Sequence, residues 1–174
     1  MGVGVLWILD FVNGVILGDR LITFLEGGEN MLVTVNYLAV LVAAVATMVV
    51  GFIWYGPMLF GKTWMRAIGA DPNDKEKMEQ MKKGMSTGYA LTFVASLVSA
   101  YILAIFIGRI GSGSIESGCK IAFAAWLGFV VPIKLGDAIF SGKPRQQSMT
   151  MFWLGAGYQL VSFLAMGVII AAWM

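Results

Sequence analysis

VTVNYLAVLVAAVATMVVGFIWY, residues 33–55, is an unbroken apolar run without one charged residue. A helix needs ~20 apolar residues to cross a hydrocarbon layer ~30 Å thick, and this run is long enough. Three further runs repeat the pattern at Thr87–Gly108, Cys119–Phe140 and Met149–Trp173. Lipid offers no partner for a bare N–H or C=O, so a helix, whose bonds are internal, is the economical way across. These runs predict an all-α fold: a polytopic membrane four-helix bundle with an N-terminal interfacial helical extension.

Composition supports this class. The chain has 174 residues, of which 59% are hydrophobic and 13% charged, and its mean hydropathy is +0.81. A soluble domain carries about 25% charged residues. The net charge of +2 comes with no basic stripe, so nucleic acid is not an expected partner. There is no histidine and one cysteine, Cys119. The commonest metal ligand and proton shuttle is therefore missing, and one thiol makes neither an internal disulfide nor a thiolate cluster. No metal and no cofactor is expected.

Two domains are expected, an extension over residues 1–30 and a four-span domain over 31–174. Val3–Gly18 is apolar apart from Asp10 and Asn13. A carboxylate near the middle of so short a run is costly in lipid, which favours an interfacial helix, with a fifth span as the alternative. Further on, Asp71-Pro72-Asn73-Asp74 has the character of a helix start, and Met78, Met81 and Met85 form a thin apolar stripe after it. That pattern predicts an amphipathic helix leading into span two.

Orientation follows from Lys and Arg in short loops. Nine sit on one side: Lys62, Arg66, Lys75, Lys77, Lys82, Lys83, Lys134, Lys143 and Arg145. Three sit opposite: Arg20, Arg109 and Lys120. The bias predicts a multi-pass protein of the inner or plasma membrane, with loops 56–86 and 141–148 cytoplasmic and the C-terminus outside.

Small residues recur at every fourth position on two spans. Ala39, Ala43, Thr47 and Gly51 do so on span one, and Gly88, Thr92, Ser96, Ala100, Ala104 and Gly108 on span two. This spacing puts them on one helical face each, where backbones can approach closely. The two faces are expected to meet each other, or the same faces of a second copy. Spans three and four look looser. Gly128, Pro132 and Gly136 interrupt span three, and Pro132 should kink it.

Span one closes on Trp54-Tyr55-Gly56-Pro57, followed by Phe60, Gly61 and Trp64. Pro57 lacks an N–H and disfavours helix at Gly56, so the span should end there, with the aromatic rings at the membrane interface. A gate or ligand lid is the sharper alternative. Together with Asn36-Tyr37-Leu38-Ala39, Phe93-Val94-Ala95-Ser96-Leu97, Ala125-Trp126-Leu127-Gly128-Phe129 and Gly157-Tyr158-Gln159-Leu160-Val161-Ser162, this segment resembles an uncharacterised family of small four-span prokaryotic membrane proteins, domain of unknown function seventeen-sixty-one. The resemblance covers about residues 35–173 and rests chiefly on W-Y-G-P-x-x-F-G-x-x-W. It implies membrane location and four spans, and it supplies no activity and no site residues.

Ionisable groups inside a span are functional candidates by default. Lys134 and Asp137 lie three apart on span three, and Tyr158 and Gln159 lie at comparable depth on span four. These four are a candidate polar pathway; an ordinary interfacial pair, with Lys134 reaching into the headgroups, is the plainer reading of the first two. No catalytic constellation is visible, neither a nucleophile–base pair nor a carboxylate pair nor a phosphate loop. The expected function is a non-enzymatic accessory or self-associating scaffold subunit. Its partners are the lipid bilayer and either copies of itself or other membrane subunits. A small-solute or ion pathway near spans three and four is the alternative.

Overall fold

The computed structural model describes residues 35–174 apart from 71–74 and 112. The expected extension over residues 1–30 and the helix start at 71–74 lie outside the described residues. Six α-helices follow: α1 (Tyr37–Trp54), α2 (Gly61–Ile68), α3 (Lys75–Ile110), α4 (Ile115–Ala125), α5 (Val131–Ile139) and α6 (Arg145–Ala172). A π-helical turn, Trp126–Val130, joins α4 to α5. Four stretches are long and apolar enough to cross a membrane: Tyr37–Trp54, Ser86–Ile110, Ile115–Ile139 and Arg145–Ala172. The protein is an all-α membrane bundle.

Local chemistry sets the ends of these helices. Asn36 caps α1, its Oδ1 accepting from the N–H groups of Leu38 and Ala39 at 3.1 and 3.2 Å. Its Nδ2 donates to the Trp173 carbonyl at 3.3 Å, tying the start of span one to the end of span four. Ser114 caps α4 through the Ser117 N–H. The helix expected before span two and span two itself are one continuous helix, α3. The sequence reading missed α2. It ends at Gly69 (φ 73°), where the Gly69 and Ala70 N–H groups close onto Arg66 and Met65, an arrangement that caps the last carbonyls.

Span three shows how Pro132 is accommodated. Its ring displaces the carbonyl four residues earlier and it has no N–H to donate. The helix responds one turn upstream by widening, and Val131 donates to Trp126, five residues back. The expected kink thus takes the form of a π turn.

α6 packs on every other helix of the bundle and is the most buried span. Spans one and three stand diagonal to each other. Span one packs on span two and also, more extensively, on span four. The core joins Ala43 from α1, Ala100 and Ala104 from α3, Ala122 from α4, and Met166 and Ile170 from α6. The four alanines are at most 1% exposed. Small side chains let the helices close on one another, which is the main source of association where lipid removes the hydrophobic drive.

The second hairpin is tightly packed where Gly118 meets Gly167. A Cβ on Gly118 would stand 2.6 Å from the Gly167 carbonyl oxygen, and one on Gly167 would stand 2.8 Å from that of Gly118. Spans three and four therefore cross backbone to backbone. At the other end, the Ser141 and Ser148 hydroxyls lie 2.6 Å apart, and Ser141 also bonds the Ala138 carbonyl, stapling the turn.

Candidate functional site

The W-Y-G-P segment builds a tight corner. The Phe60 N–H donates to Trp54 and the Gly61 N–H to Gly56, both at 3.0 Å. A Cβ on Gly61 would lie 2.6 Å from the Gly56 oxygen, so glycine is required there. α2 starts at once, and its first residue is buried in the corner.

The aromatic rings of this corner turn inward more than the interfacial expectation allowed. Trp54 Nε1 donates to the Leu154 carbonyl of α6 at 3.1 Å, and its ring packs at a tilt of 46° against Phe60 with centroids 4.7 Å apart. A Cβ on Gly157 would come within 3.0 Å of the Trp54 ring. From the other side of α6, Trp126 Nε1 donates to the Ala156 carbonyl at 2.9 Å. Two indoles from diagonal spans thus grip one turn of span four. An indole N–H in a membrane needs an acceptor, and the Gly155-Ala156-Gly157 patch exposes carbonyls to it. The small patch gives the Trp126 indole its acceptor within the bundle.

Tyr55 packs between Trp64 and Tyr158, at centroid distances of 5.8 and 5.4 Å. Tyr158 Oη donates to the Thr47 carbonyl at 3.3 Å, and its ring lies against Gly51. Two adjoining recesses open here. One, about 500 Å³, is walled by Gly51, Phe52, Tyr55, Tyr89, Thr92 and Tyr158 among others. The second, about 600 Å³, shares Tyr55 and Pro57 with it and is rimmed by Lys62, Trp64 and Arg66.

The candidate polar pathway does not assemble as one group. Lys134 and Asp137 line a recess of about 170 Å³ with Lys143 and Ser148. Among the described residues Lys120 and Glu116 form an ion pair at 2.6 Å, whereas Lys134 and Asp137 do not close to ion-pair distance. Tyr158 faces span one instead, and half-buried Gln159 lines neither recess. Tyr158 and Gln159 are adjacent on span four, and successive residues of a helix do not share a face, which is why nearness in depth did not bring the four together.

The small-residue faces divide in the same way. Ala39, Ala43 and Thr47 are buried, as are Ser96, Ala100 and Ala104. Gly51 meets Tyr158 of span four, not span two. Gly88 and Thr92 are exposed, Thr92 donating to the Gly88 carbonyl of its own helix at 2.8 Å, while Gly108 is half-buried. No group of three or more metal-ligating side chains occurs among the described residues.

No curated protein and no solved structure matches this chain. A family model matches residues 38–171, from the first turn of α1 to the last of α6 and across the whole tryptophan-gripped bundle; the chain belongs to the family described as "Protein of unknown function (DUF1761)".

Proposed function

We propose that this protein is a non-enzymatic scaffold or accessory subunit of the membrane, acting through its lateral faces and not through its centre. The observation that carries this reading is the outer face of span three. Of the four spans it is the least buried, with 17% of its apolar window inside the bundle. Gly128 and Gly136 lie there with no neighbouring atom within 4 Å of a would-be Cβ. Phe129, Ile133 and Phe140 stand beside them, exposed. A glycine facing lipid gains nothing and weakens its helix, whereas against another helix it allows close approach. The closed alanine core supports the same reading, since it leaves no room for a path along the bundle axis.

The test is the mass of the full chain in gentle detergent, with any co-purifying chains identified. Association as a homo-oligomer or with a stoichiometric partner is expected, and Gly128→Leu with Gly136→Leu should dissolve it. A parent that runs as a lone monomer, or a double variant that keeps the parent's mass, refutes the proposal. The recess holding Lys134, Asp137 and Lys143 favours a second reading, a small-solute or ion pathway completed by oligomerisation. Flux in reconstituted vesicles that falls on Asp137→Asn would select it.

A further inference from the structure

We infer that the paired recesses at the W-Y-G-P corner hold a membrane lipid with an anionic phosphate headgroup. The inner recess lies between spans one, two and four and is walled by rings and aliphatic carbon. Its volume falls in the ~300–1,000 Å³ range of small-molecule sites, which are mostly apolar with a few placed polar groups. The outer recess continues it past Tyr55 and Pro57 to α2. There the lining changes character. Lys62 and Arg66, one helical turn apart and both exposed, rim the outer recess with Trp64 between them. An apolar slot that opens onto two cations matches an acyl chain joined to an anionic head. A guanidinium beside an ammonium suits a phosphodiester, which accepts charge-assisted hydrogen bonds from both. Trp64 and Tyr55 supply the amphipathic rings that belong at headgroup depth.

The sign of the charge and its place agree. The lysine and arginine bias reads this end as cytoplasmic, the side on which anionic lipids raise a negative surface potential. The corner is also rigid: Gly61 is locked against Gly56, and Tyr55 is held between Trp64 and Tyr158. The helix that carries the two cations is therefore packed in place beside the slot, and their side chains are what must be ordered on binding.

The full chain, stripped of lipid in detergent, is titrated with phosphatidylglycerol and with phosphatidylcholine of the same acyl chains, and bound lipid is counted by native mass spectrometry. The parent should prefer phosphatidylglycerol by roughly tenfold or more, from two cations acting near the surface. K62Q/R66Q should bring the two lipids to near parity. Thr92→Phe, which fills the inner slot from an exposed position, should weaken both lipids alike and leave their ratio unchanged. K143Q/R145Q, which removes two cations elsewhere at the same end, should keep the parent's preference. Equal binding of both lipids by the parent overturns the inference. So does a loss of preference in K143Q/R145Q as large as that in K62Q/R66Q, because charge would then act without a site.

Discussion

One added methyl group distinguishes the two kinds of glycine in span three. On Gly118 a Cβ would lie 2.6 Å from the Gly167 oxygen and 2.6 Å from the Ala171 Cβ. Non-bonded heavy atoms rest at about 3.5–4.0 Å, so α4 and α6 must part by nearly ~1 Å at their closest point, a gap that forfeits a quarter to a half of each local contact. Both opposing atoms belong to backbone or Cβ, so no side chain can swing away. Overpacking of this kind costs about 1–3 kcal/mol, against a gain of about 1 kcal/mol for alanine over glycine in a helix. Gly118→Ala should therefore lose up to about 2 kcal/mol net, shifting the folded-to-unfolded ratio by up to about 30-fold. On Gly136 the same methyl meets nothing within 4 Å in its own chain, so in the dissociated monomer only the helix term remains and Gly136→Ala should be neutral or gain up to about 1 kcal/mol. Thermal and detergent-induced unfolding of both variants in mild micelles reads the difference. A Gly118→Ala protein that gains the full helix term of about 1 kcal/mol, as monomeric Gly136→Ala is expected to, refutes the backbone crossing of spans three and four.

Trp126→Phe keeps the ring and removes the N–H held by Ala156; it should cost about 0.6–2 kcal/mol in thermal unfolding, whereas Trp153→Phe, at a side chain 70% exposed, should cost nothing measurable. Ser162 Oγ is buried with no hydrogen-bond partner among the described residues, so Ser162→Ala should leave the melting temperature unchanged or raise it, because an unmet buried hydroxyl carries a desolvation penalty of about 1–3 kcal/mol. A double-mutant cycle on Lys134→Gln and Asp137→Asn should show a coupling below about 0.5 kcal/mol, since the two do not pair; a coupling above 1 kcal/mol would mean that they act as one unit.

The membrane class and the four spans were legible because both rest on local quantities, namely run length and charge. Their ends were less so. Span three begins at Ile115, four residues before its predicted start, because Ser114 supplies a cap. Span four begins at Arg145, since a helix can project beyond the apolar slab without cost. α2 was missed although GKTWMRAI followed by Gly69 carries an amphipathic run and a stop; the aromatic anchoring pattern drew the reading instead. Trp54 shows the limit of the interfacial rule. The rule prefers a ring at the headgroups, but a carbonyl made accessible by a glycine-rich turn was nearer.

The sequence by itself determined that this chain crosses lipid as helices, where they run, and that Gly56, Pro57 and Gly61 end the first of them. Each of those follows from the chemistry of neighbouring residues. Only the tertiary structure decided that span four is the hub, that Trp54 and Trp126 grip it, and that Tyr158 turns toward span one, away from Lys134 and Asp137. A small-residue face or an indole N–H states what kind of partner it needs but not which one. That choice depends on how four helices share one another's surfaces at once, and it is settled when their backbones close to contact.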